Sequence, residues 1–212
     1  MTRGKFITLE GGEGAGKSTQ TRLLADALRQ RGIDVVITRE PGGTQGAEAI
    51  RSLLLQTDGD GWLPRAEALL FAAARSDHVE RLIEPSLVSG KWVICDRFLD
   101  SSRAYQGGAG GLSDEEIMAL HRVGSRGLLP DLTLLIEVSP QEAAKRLKHR
   151  DAGVADRIGG RSDEYHARVA EAFVGLADGE KRRFARIDGN GRTEATHALI
   201  LTALEPLLEP HP

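Results

Sequence analysis

Gly11-Gly12-Glu13-Gly14-Ala15-Gly16-Lys17-Ser18 has the residue types and spacing of a phosphate cradle. Gly11, Gly16, Lys17 and Ser18 fall on the fixed positions of the P-loop pattern. Glycines let backbone N–H groups turn inward around phosphate oxygens. The first turn of a following helix adds unpaired N–H groups and the positive end of its dipole. Such a loop, continued through Thr19, would hold ATP, with Lys17 reaching the β- and γ-phosphates and the Ser18 hydroxyl a ligand for Mg²⁺. Asp96 follows the apolar run Trp92–Cys95, where P-loop proteins keep the acid that helps hold that ion. The bland alternatives are a glycine-rich turn with an incidental lysine and an ordinary strand-end carboxylate. The motif implies triphosphate binding and leaves the acceptor open, because GTPases, ATPases and kinases share it.

These residues need elements to hold them. Phe6–Glu10 alternates as a strand and runs into the loop, and Lys17–Gln30 has helical apolar spacing with Gly32 as its stop. Asp34–Thr38 is a β-branched strand, Pro41-Gly42-Gly43 a break, and Gly46–Leu55 a short helix. Arg65–Val88 reads as a longer helical stretch interrupted near Pro85. Gly107–Gly111 reads as a loop before a helix that Ser113 and Glu116 open as a capping box. Leu132–Val138 and Ala185–Asp188 are strands. Pro140 opens a helix with Ser139 as N-cap, and Asp163–Leu176 and Thr193–Leu208 are helical. His149–Arg161 is polar, basic and glycine-containing, a loop, and the tail Glu209–Pro212 should fray. Strands alternating with helices predict an α/β fold of three layers, a P-loop NTPase fold with a parallel five-stranded sheet flanked by helices and a small basic lid. The 212 residues suit one domain spanning 1–212.

Composition narrows the class. A net charge of −3 from 28 basic and 31 acidic side chains gives no sign of a nucleic-acid or membrane surface. Cys95 is the only cysteine, which excludes an intramolecular disulfide and a cysteine-based zinc site. Its apolar surroundings suit a buried, inert thiol. No signal peptide and no apolar stretch of membrane-spanning length is visible, so a cytoplasmic location is the expectation.

Further segments narrow the acceptor: Thr38-Arg39-Glu40-Pro41-Gly42-Gly43-Thr44, Leu70-Phe71-Ala72-Ala73-Ala74-Arg75, Asp96-Arg97-Phe98 and Ser101-Ser102-Arg103-Ala104-Tyr105-Gln106-Gly107-Gly108. With the Leu9–Thr19 segment, this ordered set resembles bacterial thymidylate kinases from Lys5 to about Leu204. The resemblance implies transfer of the ATP γ-phosphate to dTMP, giving dTDP. It implies that Phe71 stacks on thymine and that Arg75, one turn on, donates to a thymine carbonyl. Gln106 would pair with the base edge beside Ser102, and Tyr105 would lie under the sugar and exclude a 2′-hydroxyl. Arg97 and Arg51 would clamp the acceptor phosphate, a task suited to the guanidinium fork. Glu13 would contact the 3′-hydroxyl region and Glu40 would lie near acceptor and metal. Pro41 would follow a cis peptide. Members of the family without a P-loop arginine supply one from the lid, and here Gly14 follows Glu13. Arg157 is the first choice for the transferring phosphoryl group, with Arg150 and Arg161 as alternatives and with Arg146 and Lys148 just before the lid, Arg146 on the ATP side. The Asp188–Gly191 turn is similar to one that lies against adenine. A homodimer built from helices near Arg65–Val88 is also implied.

Two departures stand out: Phe98 replaces the usual tyrosine, and Ala152–Ala155 makes the lid more apolar. Core packing remains the alternative for Phe71, solvated surface charge for Arg75 and the lid arginines, and local loop hydrogen bonding for Ser102, Tyr105 and Gln106. Rival readings are a kinase for another monophosphate, a GTPase switch and a P-loop ligase. The guanine signature Asn-Lys-X-Asp does not occur.

Overall fold

A computed structural model describes residues 2–56, 61–150 and 157–208, residues 149 and 150 by backbone alone. Five strands, β1 (Phe6–Glu10), β2 (Val35–Arg39), β3 (Trp92–Asp96), β4 (Leu132–Glu137) and β5 (Phe184–Asp188), form one sheet in the order β2-β3-β1-β4-β5. Every pairing is parallel. β1 is buried along its whole length, as the central strand of a sheet covered on both faces must be. Alternate residues feed two cores. Ile7 and Leu9 pack with Ile94, Leu134 and Ile136 under α1 (Lys17–Gln30) and α9 (Thr193–Leu208), through Leu24, Leu28, Ile200 and Leu204. Phe6 packs on the other face with Val93, Cys95, Phe98, Ile83 and Leu87. Cys95 is fully buried and its thiol is pushed well above the usual range by that burial, so it is the inert core residue the sequence suggests.

The connections follow the sequence reading closely. α2 spans Gln45–Leu55, α3 Pro64–His78, and α4 Glu84–Val88. A π-helical turn, Val79–Ile83, joins α3 to α4 and accommodates the missing N–H of Pro85. α5 (Leu99–Ser102) follows β3, and α6 (Asp114–Ser125) begins at the Ser113–Glu116 capping box. α7 spans Pro140–Arg150, with the Ser139 hydroxyl accepting from the Glu142 amide at 3.3 Å, and α8 spans Asp163–Gly179.

Two expectations are corrected. Gly107–Gly111 is not simply a loop, because a π-helical stretch, Arg103–Ala109, carries α5 onward through Gly107 and Gly108. A Cβ on Gly108 would lie 2.4 Å from that of Ala172, so this glycine admits α8 rather than making a turn. The predicted lid loop His149–Arg161 begins in helix, since α7 runs to Arg150. Residues 151–156 of that lid and the tail 209–212 lie outside the described residues.

Candidate active site

The register sets the site. Leu9 pairs with Asp96 and Asp96 with Arg39, so the carboxyl ends of β1, β3 and β2 stand side by side. Ligands of open α/β sheets bind outside those ends. A cleft of about 280 Å³ opens there. Glu13, Lys17, Ser18, Glu40, Arg51, Phe71, Arg75, Asp96, Arg97, Ser102, Tyr105 and Gln106 all line it.

At the P-loop end the backbone conformation requires glycine. Gly11 has φ 135°, and a Cβ there would sit 2.3 Å from the Ile136 carbonyl oxygen. Lys17 folds its ammonium over the loop and donates to the Gly11 carbonyl at 3.1 Å and the Gly12 carbonyl at 2.8 Å. Burial and then the neighbouring Arg97 lower its pKa to about 8, against the pull of Asp96, Glu13 and Glu10. The Ser18 hydroxyl donates to Asp96 Oδ2 at 2.6 Å. These hard oxygen donors are too few for a cage made of protein alone, and no described cluster of three His, Cys, Asp or Glu could hold a metal. They fit Mg²⁺, which keeps waters and substrate phosphates as ligands.

Arg97 sits at the junction of the two ends. Its backbone is left-handed, φ 69°, a strained state for a residue with a side chain. Three contacts hold it there. Its own amide donates to the Leu9 carbonyl at 3.0 Å, the Phe98 amide donates to Glu10 Oε1 at 2.8 Å, and the Ser101 hydroxyl donates to Glu10 Oε2 at 2.6 Å. The guanidinium then donates to the Gly11 carbonyl at 3.0 Å, to Ser101 Oγ at 3.1 Å and to Glu13 at 2.6 Å. It lies over the Tyr105 ring, 5.0 Å from the centroid. Burial opposes its charge, and Tyr105, Glu13, Asp96 and Glu10 outweigh that, raising its pKa. The Glu13 carboxylate therefore has the paired charge that an acid among phosphate-binding amides requires.

The far end is built from side chains. Arg75 is only 3% exposed, which removes the surface-arginine alternative. Its Nε donates to Glu40 Oε2 at 2.7 Å, and its Nη2 to the Phe98 carbonyl at 3.1 Å and Ser102 Oγ at 2.9 Å. Nη1 makes no hydrogen bond among the described residues. Glu40 also meets His78 Nδ1 at 3.0 Å, while His78 Nε2 meets Thr38 Oγ1 at 2.7 Å. Burial works against the Glu40 charge, but Arg75 and His78 overcome it and hold the carboxyl below its usual range. The Glu40–Pro41 peptide is cis. Phe71 is 9% exposed on the cleft wall. The Tyr105 hydroxyl is buried with no hydrogen-bond partner among the described residues, a cost that a ligand polar group would relieve. Arg51 donates to the Pro41 carbonyl at 2.8 Å.

The remaining cations lie elsewhere. Arg146 donates to the Gly189 carbonyl at 2.7 Å, and more weakly to Gly191 and Ala15 at 3.4 Å, tying the back of the P-loop to the Asp188–Gly191 turn. Arg157 does not line the cleft; its Nε donates to the Gln56 carbonyl, while the adjacent Ile158 does line it. Arg161 binds Glu67 and Tyr165. The side chain of Arg150 lies outside the described residues.

Sequence reasoning did not single out Glu10, Glu67, His78 or Ser101. A signal existed for three of them. Glu67, Phe71, Arg75 and His78 recur at intervals of four, four and three, one stripe of α3, and all four are buried. For Glu10 the signal was the one used for Asp96, a carboxylate ending a buried strand.

Comparisons with known proteins show the family. The thymidylate kinase family model matches residues 9–200. A thymidylate kinase of Rhizorhabdus wittichii is 56% identical over 207 residues, covering 97% of this chain and 99% of the relative. One from Rhodopseudomonas palustris is 46% identical, covering 98% and 91%. The crystal structure of thymidylate kinase from Ehrlichia chaffeensis superposes with a TM-score of 0.78 at 33% identity, covering 95% of this chain and 99% of that one.

Proposed function

The chain belongs to the thymidylate kinase family, enzymes that phosphorylate dTMP to dTDP with ATP, and we propose how its own residues divide that work. The observation that supports the division is a single cleft with Lys17, Ser18 and Asp96 at one end and Phe71, Arg75 and Gln106 at the other, Arg97 between them. The ATP phosphates lie on the amides of Gly11–Thr19, with Arg146 and the Asp188–Gly191 turn beside the adenine end. The dTMP phosphate lies on Arg97 and Arg51. Its thymine lies on Phe71, with Arg75 Nη1 donating to a carbonyl oxygen and Gln106 and Ser102 along the same edge. Tyr105 faces the deoxyribose, its unpartnered hydroxyl toward the sugar, and Glu13 and Glu40 border the acceptor.

An oxygen of the dTMP phosphate attacks the γ-phosphorus in line, and the bond to the β–γ bridging oxygen breaks as ADP leaves. A phosphate monoester is largely ionised near neutral pH, so no strong general base is needed. Positioning and charge neutralisation supply the catalysis. Lys17 leaves the Gly11 and Gly12 carbonyls for the β- and γ-phosphate oxygens. Ser18 and Asp96 would hold Mg²⁺, which supplies charge neutralisation on those oxygens. Residues 149–161 act as a lid on a single catalytic domain, bringing an arginine, Arg157 first, over the transferring group and excluding water. The working form is a homodimer through helices near α3, in the cytoplasm; no described helix is long and apolar enough to cross a membrane.

The test is a coupled ADP-release assay with a panel of monophosphates. dTMP should be the preferred acceptor, dUMP weaker, and dCMP and AMP weaker still. Turnover of another acceptor with dTMP left unchanged would overturn the reading.

A further inference from the structure

We propose that Glu67 is a positioning residue that decides which end of the Gln106 amide faces the base, and so which pyrimidine the cleft accepts. The proposal rests on the acceptor site described above.

Glu67 lies on α3 one turn before Phe71 and is buried. Its Oε1 accepts from Gln106 Nε2 at 3.0 Å. Its Oε2 accepts from Arg161 Nη2. Arg161 is braced in turn by the Tyr165 hydroxyl and stands over that ring, 4.5 Å from the centroid. Tyr165 donates to the Tyr105 carbonyl at 2.7 Å, closing the group onto the π-helical stretch that carries Gln106.

The chemistry of the pair removes a choice that an isolated glutamine would keep. A carboxylate paired with a guanidinium only accepts hydrogen bonds. Gln106 must therefore turn its NH₂ toward Glu67 and its carbonyl oxygen away. That oxygen makes no hydrogen bond among the described residues, and Gln106 lines the cleft. The edge offered to a base is thus an acceptor, from Gln106, in the same cleft as a donor, Arg75 Nη1. A thymine edge runs N–H beside C=O and matches it. A cytosine edge runs ring nitrogen beside NH₂ and opposes it at both places. Glu67 reads no atom of the base, yet it fixes the polarity of the group that does. Arg161, at the end of the predicted lid, holds Glu67 in turn.

Glu67→Gln, which preserves shape, tests this. Its amide has one oxygen for two donors, and the Arg161 cation should capture it. The amide nitrogen then faces Gln106, whose side chain must flip and present NH₂ to the base. Steady-state kinetics should show KM for dTMP up roughly tenfold, the equivalent of leaving one buried hydrogen-bond donor unpaired. The kcat with dTMP and the KM for ATP should stay within about threefold, and the dTMP-over-dCMP preference in kcat/KM should fall by about tenfold. Adding Arg161→Ala to Glu67→Gln frees the substituted amide oxygen for Gln106 and should restore part of the preference. In a Gln106→Ala background, Glu67→Gln should no longer change the preference. If Gln106→Ala lowers the preference while Glu67→Gln leaves it intact, the positioning role is wrong and the acceptor site stands. If Gln106→Ala leaves both dTMP KM and preference unchanged, the acceptor reading itself fails, and this proposal with it. A Glu67→Gln loss confined to kcat, equal for dTMP and dCMP, would also overturn it.

Discussion

The two ends of the cleft are built on opposite plans. The phosphate-donor end is a short contiguous loop in which backbone conformation and one lysine do most of the work. The base end is assembled from β2, α3, and the helical stretch after β3, and nearly every polar side chain there is already held by another protein group. Among the described residues, Lys17 donates only to carbonyls of its own loop. Arg75 keeps its partners and offers only the nitrogen they do not use. A phosphate chain is flexible and highly charged, so a pliable cradle with one mobile cation suits it. A base is rigid and neutral, and reading it needs donors and acceptors that do not move. Damage at the first end should therefore appear in kcat, and damage at the second in stability and KM.

The sharpest way to break the comparison is at Glu40. Removing one partner of a buried ion pair costs roughly 3–5 kcal/mol, because the other charge is left uncompensated. Glu40→Ala should lower unfolding stability by about that amount, measured by urea titration, and raise the dTMP KM in whatever folded fraction remains. A loss below about 1 kcal/mol would mean that the base end is as loosely held as the donor end. Lys17→Ala should behave the other way. It should leave stability nearly unchanged or improved, since a partly desolvated charge is removed, and it should lower kcat by at least about 100-fold, as for loss of one preorganised stabilising group. Near-normal turnover would remove Lys17 from the proposed chemistry.

The same contrast explains what the sequence made legible. A contiguous loop between a strand and a helix can be read from order alone, and Gly11, Lys17 and Ser18 stand where the pattern requires. Buried parallel strands appear as short apolar runs, so all five were located to within a residue or two. The base end was nameable only through resemblance, because its logic is non-local. Arg75 is held by Glu40, 35 residues earlier, and by Ser102, 27 residues later. Nothing at position 75 says whether an arginine is clamped or solvated. Gly108 misled for a related reason: glycine that makes room for a neighbouring helix looks like glycine that makes a turn. Arg157 shows the limit on the donor side, since a basic loop has no periodicity to fix which cation points where, and its guanidinium rests on the Gln56 carbonyl.

The smallest effect is a pH dependence that sharpens the comparison, because it should attach to the mobile lysine alone. With no ligand bound, burial and Arg97 set the Lys17 pKa to about 8. Phosphate oxygens beside the ammonium favour its charged form and must raise that value. Below pH 8 the lysine is protonated both free and bound, so ATP affinity should not depend on this group. Above pH 8 the free protein loses the proton and the complex retains it, so binding takes up a proton and affinity falls, by at most tenfold per pH unit. Calorimetry at pH 8.5 in two buffers of different ionisation enthalpy should report uptake of a large part of one proton per ATP. Lys17→Arg, whose guanidinium stays charged, should abolish it. Glu10, which burial and Asp100 push up to about 8, titrates in the same window beneath Arg97. Uptake that survives in Lys17→Arg would belong to Glu10, and the donor end would then owe its pH response to the buried support of Arg97 rather than to its one mobile cation.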